Sequence, residues 1–339
     1  MGTLDLHSYE EIISLENLLG AWEEFVVGKR GREDAQAFAF NLMENLIALH
    51  RRLANGSYRH DAYVAFAISD PKPRQIHKAT VADRVLHRAI YRQLYPAFDR
   101  TFIADSFSCR VGKGTHAALD RFRRFAGQVS RNHRRTAWVL KCDVRKFFAS
   151  IDHEVLMRIV DGRIADKRVV RLIETIVRSF HVRPGKGLPL GNLTSQLLAN
   201  VYMDALDQYV KCRLNVEYYV RYADDFVLLF HDRDYLVVAL DCIRDFLSRE
   251  LRLDLHPDKI EIRTFASGVD FLGWVHFPGY RVLRAATRRR MFRAIEGGAG
   301  DSAIISYQGL LLHGNAERLS RQLSESIDSR PRSRYTPPA

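Results

Sequence analysis

Two adjacent carboxylates, Asp224 and Asp225, stand between two apolar, aromatic-rich runs, Tyr218–Val220 and Phe226–Phe230. The pattern predicts strand, tight turn, strand, with both strands half-buried. Neighbouring acids at a hairpin tip repel each other, and hairpin turns ordinarily use Asn-Gly or Asp-Gly to reach positive φ. An ordinary polar turn therefore fits poorly. A divalent cation that neutralises the pair and faces phosphates fits better, since Mg²⁺ favours one or two carboxylates plus substrate phosphate oxygens. Two-metal phosphoryl transfer needs acids gathered from different chain segments. A third acid, Asp143, ends the short apolar strand expected at Trp138–Cys142. It can join the pair only if that strand and the hairpin are neighbours.

The chain around these acids is long and basic. Its 339 residues carry a formal net charge of +12, with 47 % hydrophobic and 27 % charged residues. That composition is globular, with room for two or three packed subdomains, and the charge favours a polyanionic partner. No apolar run approaches the ~20 residues of a membrane span, and the N-terminus has neither the basic nor the apolar region of a signal peptide. No membrane is expected, and nucleic acid is the likelier polyanion. Cys109, Cys142, Cys212 and Cys242 are scattered without C-x-x-C spacing, which points away from zinc and disulfides and towards a reducing cytoplasm.

Taken in order, residues 1–57 show apolar stripes at helical spacing, read as core packing. A strand follows at Tyr63–Ile68, then the stiff basic turn Asp70-Pro71-Lys72-Pro73-Arg74. Its prolines fix φ and pre-position Lys72 and Arg74, cations suited to phosphate. Thr80 should cap a helix whose face is Val85, Leu86, Ala89, Ile90 and Leu94. Gly112-Lys113-Gly114 is a weak phosphate-loop signal, and the arginines of Arg121–Arg135 suit either a solvated helix face or a surface that tracks a nucleic-acid backbone. Asp152 should cap the helix beginning at His153. Leu188–Gln196 should lead into a helix at Leu197–Val210, with Thr194 or Ser195 as its cap and Gly191 allowing close backbone approach. Leu236–Leu251 reads as amphipathic helix, Ile260–Thr264 as strand, and Val269–Val275 as a hairpin bending at Gly273. Basic helices follow from Arg284, broken at Gly297–Gly300 and Gly314-Asn315.

This ordered set resembles the palm of reverse transcriptases, from about Pro71 to Gly314. The resemblance implies an α+β, right-hand polymerase fold: an N-terminal helical region (1–57), fingers (58–142), palm with antiparallel sheet (143–278), helical thumb (279–328) and a disordered tail (329–339). It implies an RNA-directed DNA polymerase that extends cDNA on template RNA from dNTPs and holds the RNA/cDNA duplex. Asp143, Asp224 and Asp225 would be catalytic, holding two Mg²⁺ (Mn²⁺ as a substitute) with the Val144 carbonyl. Phe148 would be the gate against a ribose 2′-hydroxyl. Lys72, Arg74 and Lys259 would lie at the nucleotide phosphates, and Phe271, Leu272, Gly273 and Trp274 would form the primer grip.

Finer features narrow the resemblance. Leu190 stands where many relatives have glutamine before the loop glycine, and Gln196 follows Ser195 where they have proline. With Gly191, these make the string LGNLTSQ, which, beside DPKPR and CRVGKGTHAAL, resembles the enzymes of diversity-generating retroelements. The resemblance then implies error-prone copying biased to template adenines, a small basic oligomeric accessory protein, and a bacterial or phage-encoded cytoplasmic enzyme. Alternatives are an antiviral-defence, retron or group II-like reverse transcriptase, or a non-catalytic RNA-binding scaffold.

Overall fold

The computed structural model describes residues 8–68 and 73–328. Four helices open the chain: α1 (Tyr9–Ile13), α2 (Leu15–Val26), α3 (Glu33–Phe40) and α4 (Leu42–Ala54). Ser8 and Glu11 form a reciprocal capping box at the start of α1, satisfying donors the first turn leaves orphaned. The apolar faces of these helices, among them Ile12, Leu18, Trp22, Leu46 and Leu49, are buried in one core with the helix α5 (Val81–Thr101). Thr80 caps α5 as expected, accepting from the Asp83 N–H. Between them lies an antiparallel pair, β1 (Val64–Ile68) and β2 (Arg74–Lys78). The expected basic turn between these strands falls outside the described residues at Asp70, Pro71 and Lys72.

Helix α6 (Thr115–Val129) precedes strand β3 (Trp138–Asp143). Then come α7 (Phe147–Ser150), α8 (His153–Asp161), α9 (Lys167–Arg178) and α10 (Leu193–Gln208), which runs into a π turn at Tyr209–Arg213. Asp152 caps α8, accepting from the N–H groups of Glu154 and Val155. Helix α10 starts earlier than the sequence suggested. Asn192 holds its cap position without a side-chain cap bond, and Thr194 and Ser195 are buried inside the first turn. Strands β4 (Tyr219–Tyr222) and β5 (Asp225–Phe230), helix α11 (Arg233–Leu251) and strand β6 (Glu261–Thr264) follow.

The four strands form one antiparallel sheet in the order β4-β5-β3-β6. Because side chains alternate along a strand, its two faces have different fates. Leu140, Cys142, Tyr219, Phe226 and Leu228 pack into the core shared with α5, α8, α10 and α11. Val139, Val220, Val227 and Leu229 pack into a second core with α6.

A second sheet, β7 (Val269–Phe271), β8 (Trp274–Phe277) and β9 (Tyr280–Leu283), completes that second core. The sequence pattern revealed its first hairpin; β9 was not read, because exposed Tyr280 and buried Arg281 invert the apolar-in, polar-out alternation. Helices α12 (Ala285–Glu296), α13 (Asp301–Leu311) and α14 (Glu317–Asp328) close the described chain. They bury Met291, Ile295, Leu311 and Leu323 against the same core. The architecture is the expected mixed α+β one, with antiparallel sheets and a helical C-terminal part.

Gly314, in the bend between α13 and α14, lies so close to Trp274 that a Cβ would overlap the indole ring. Gly309, in α13, has open space around its Cα. Gly314→Ala should therefore destabilise by about 1–3 kcal/mol through overpacking, while Gly309→Ala should stabilise by roughly 0.5–1 kcal/mol through helix propensity. Thermal unfolding of the two variants checks both signs.

Candidate active site

The register between β3 and β5 sets Asp143 directly opposite Asp225. On the other side of β5, Tyr222 pairs with Asp225, leaving Ala223 and Asp224 as the two-residue turn. Ala223 takes the left-handed conformation at φ 56°, the positive φ that the turn demands without a glycine. The Asp224 carbonyl accepts from the Val144 N–H at 3.2 Å, so the turn is pinned to the chain just beyond Asp143. That chain is pinned in turn: the Arg145 N–H donates to the Asp254 carbonyl and the His256 N–H to the Asp143 carbonyl, each at 2.8 Å.

Like charges directly opposed across a sheet are destabilising, and the site shows the strain electrostatically. Burial, and then the Asp143 charge, push the Asp225 carboxyl well above its ordinary range, against the pull of Lys141. Burial and Asp143 likewise raise Asp224, opposed by Lys259 and Arg74. Lys259 reaches Asp143 itself, Nζ to Oδ1 at 2.8 Å. The three acids, Lys259 and Arg74 thus form one electrostatic unit. Among the described residues, no three His, Cys, Asp or Glu side chains close into a ready metal cage. The donor set is nevertheless all carboxylate oxygen, which suits hard divalent ions, and cation charge is what its raised acids lack.

The loop before α10 is fastened to strand β2. The His77 N–H donates to the Leu190 carbonyl at 3.0 Å, and the Asn192 side-chain amide donates to the His77 carbonyl at 3.0 Å. Gly191 has φ 101°, and a Cβ there would lie 2.8 Å from Ile76 Cγ2; only glycine satisfies both limits. Gly191 and Gln196 line a cleft of about 330 Å³ with Phe25 of α2, Lys29 of the turn after it, and Arg84 and Arg88 of α5. Phe148 is half-buried, its ring edge-on to Phe147, and its carbonyl accepts from the Leu188 N–H at 2.8 Å.

In the hairpin expected as a primer grip, Phe271 pairs with Trp274 across a turn of Leu272 and Gly273, both at positive φ. The side chains of Phe271 and Trp274 are fully buried and serve the second core, leaving Leu272 and Gly273 at the surface of the turn. The Arg284 N–H donates to the Gly273 carbonyl at 3.0 Å. In the Gly112–Gly114 loop, Lys113 Nζ donates to the Ala104 carbonyl at 2.8 Å, so that cation is already engaged.

Sequence reasoning missed the polar network behind the sheet. Arg221, on β4, is fully buried and paired with Asp207 of α10; Arg163 is paired with Asp204 at 2.7 Å. The signal was present: a charge inside the apolar run YYVRY and two acids in the apolar run ANVYMDALDQYV each require a buried partner. Arg84 and Arg88 were also missed, because their helix read only as core, as was Lys29 in the turn after α2.

With this geometry in place, the comparisons define the class. The model for the reverse transcriptase (RNA-dependent DNA polymerase) family matches residues 69–276, well over half of the chain, and the chain belongs to that family. Its enzyme class is therefore RNA-directed DNA polymerase. Among curated proteins, it is 26 % identical to Protein YkfC of Escherichia coli (strain K12) over 266 residues, covering 67 % of this chain and 68 % of that protein. It is 26 % identical to the group II intron-encoded protein LtrA of Lactococcus lactis subsp. cremoris over 145 residues, covering 41 % of this chain but only 23 % of LtrA. The backbone resembles telomerase from Candida albicans, solved in complex with a TWJ fragment of telomeric RNA. The TM-score is 0.52 at 10 % identity, over 81 % of this chain and 57 % of that one. At that identity the likeness concerns the fold alone, which is that of a right-hand polymerase.

The opposed acids predict a stability effect with a definite sign. A carboxyl whose folded pKa stands above its unfolded value costs stability once pH passes the unfolded value, and the cost grows until the folded pKa is passed. In chelator at about pH 7.5, Asp225→Asn should stabilise by roughly 1–3 kcal/mol, the worth of one or two pKa units. At about pH 2.5, below the unfolded value as well as the folded one, the carboxyl is protonated in both states and the difference should vanish. Thermal unfolding at the two pH values measures it.

Proposed function

We propose that this chain copies template RNA into cDNA by two-metal nucleotidyl transfer at Asp143, Asp224 and Asp225. The observation that supports it most is the register that forces Asp143 against Asp225 beside Asp224, an arrangement that is costly without cations. Asp143, Asp224, Asp225 and the Val144 carbonyl would hold Mg²⁺, or Mn²⁺ in its place. Bound there, the ions would activate the primer 3′ hydroxyl and neutralise charge on the leaving pyrophosphate.

The chain's own residues do the rest. Lys259, paired with Asp143, and Arg74, whose charge lowers the Asp224 carboxyl, receive the triphosphate of the incoming dNTP, with Lys72 assigned to the same task by sequence. On nucleotide entry Lys259 exchanges Asp143 for phosphate. Phe148 closes the pocket against a 2′-hydroxyl, while Leu190, Gly191 and Gln196 shape it around the nascent pair. The Leu272–Gly273 turn, framed by Phe271 and Trp274, contacts the primer backbone. Lys29, Arg84 and Arg88 line the cleft beside Gly191, Arg84 paired with Asp34 and Arg88 with Glu24; a template strand or RNA/cDNA duplex passing there would compete for these cations by counterion release. In this reading, residues 58–142 act as fingers, 143–278 as palm and 279–328 as thumb.

Asp224→Asn tests the chemistry. RNA-templated DNA synthesis should fall at least about 10³-fold, the order lost with one key electrostatic group, while RNA binding persists or tightens. Wild-type extension by the purified variant would overturn the assignment.

Within the family, we read the chain as the error-prone enzyme of a diversity-generating retroelement, working with a small basic accessory protein in a bacterial cytoplasm. The support is Leu190 and the string LGNLTSQ. A second reading, a group II-like enzyme of another role, is favoured by the similarity to LtrA. Apolar contacts discriminate weakly, by roughly 1–3 kcal/mol, whereas unpaired polar groups discriminate far more. Leu190→Gln should therefore lower misincorporation without abolishing synthesis, as read by sequencing cDNA made on one defined template. An unchanged error rate would place fidelity elsewhere.

A further inference from the structure

Arg221 and the acids occupy opposite faces of the sheet. Asp225 shares a face with Val227 and, across the ladder, with Tyr222; Arg221 alternates with Tyr222 and opposes Phe226, pointing into the core against α10. There its guanidinium is fully buried, and every one of its N–H groups is used. Nε donates to Asp207 Oδ1 at 2.7 Å, and Nη2 donates to Asp207 Oδ2 at 2.6 Å and to Ser106 Oγ at 3.0 Å. Nη1 donates to Asn200 Oδ1 at 3.3 Å and to the Ala223 carbonyl at 3.0 Å.

A counter-ion for Asp207 needs only the first two of these contacts. The bond to Ala223 does something else. Ala223 is held in the left-handed region, which costs a non-glycine residue roughly 1–2 kcal/mol and persists only where the surroundings over-determine it. Its carbonyl is tied to Arg221, and the next carbonyl, that of Asp224, is tied to the Val144 N–H. The two peptides flanking Asp224 are therefore fixed from two sides, one by the neighbouring strand and one from behind the sheet. The anchor itself is rigid: Asn200 donates to the Ser108 carbonyl at 2.8 Å, Tyr219 donates to Asp207 at 2.8 Å, and the segment around Ser106 lies in parallel bridge with Arg221.

We propose that Arg221, locked by Asp207, is a positioning residue that sets the turn carrying Asp224. It never touches substrate, and it acts by holding the Ala223 peptide. The inference rests on the reading of Asp224 given under Proposed function. Lysine has three donors and no fork, so Arg221→Lys keeps a charge beside Asp207 and loses the reach to Ala223. The matched control is Arg163→Lys, which weakens the neighbouring buried pair with Asp204 on the same helix.

For Arg221→Lys, kcat should fall about 10- to 100-fold, the order caused by misplacing a reacting group by an ångström, with KM for nucleotide little changed. In metal-free protein, hydrogen exchange of the Asp224 and Asp225 amides should accelerate. Arg163→Lys should lose stability yet keep kcat and the exchange rates of the turn. If Arg221→Lys does not fold, Asp207→Asn takes the same measurements, since it preserves shape and one acceptor oxygen. Unchanged kcat and exchange in the Arg221 or Asp207 variant overturns the proposal, as does an equal kcat loss in Arg163→Lys. Such a failure leaves Asp224→Asn inactive, whereas failure of the underlying reading leaves Asp224→Asn active.

Discussion

The structure depends on one register. Setting β3 antiparallel to β5 so that Asp143 meets Asp225 decides which face of the sheet carries charge. A slip of one residue would turn each strand's side chains to the other face. The acids would then point into the helices, and Leu140, Cys142, Phe226 and Leu228 would leave their core. Burial of two different apolar faces therefore specifies the site: the hydrophobic effect chooses the register, and the register forces the acids together. Repulsion between them is a local cost carried by packing elsewhere. That is the usual relation between a stable scaffold and a strained functional centre.

Electrostatics is divided between the two sides of the sheet. On the acid side, Lys259, Lys141 and Arg74 oppose a carboxylate excess without cancelling it, so Asp224 and Asp225 both remain raised. Behind the sheet, Arg221 and Arg163 are matched to Asp207 and Asp204, as burial of charge requires. In the first group the cations leave two carboxyls raised; in the second, each acid has an arginine partner. The pairing behind the sheet is still not free of strain, since burial and neighbouring Asp207 raise the Asp204 carboxyl despite Arg163.

What was legible in the sequence follows from the range of each interaction. Local patterns were readable: Thr80 and Asp152 as caps, Asp143 at a strand end, the bend at Gly273. The acids were readable because two carboxylates at a hairpin tip contradict local turn chemistry. Long-range pairings were not. Nothing near His77 announces that both its backbone groups bind the Leu190–Asn192 loop, and nothing near Ser106 announces Arg221. The start of α10 was misplaced because Thr194 and Ser195 look like caps, whereas burial in the first turn claims both. Phe271 and Trp274 were singled out as contact residues, but their rings are core and only the turn between them reaches the surface.

The same distinction between backbone and side chain applies to the loop that leads into α10. The Leu190–Asn192 loop is placed by the Leu190 carbonyl, by the Asn192 amide and by a glycine whose missing Cβ lets Ile76 approach. None of these three anchors involves the Leu190 side chain, which is half-buried. The loop's position and the chemistry it shows to a neighbouring ligand are thus separable. Substituting residue 190 alters what the loop presents while leaving it bonded to β2, whereas substituting Gly191 would detach it. A site built this way separates the backbone bonds that place the loop from the side chain carried at residue 190.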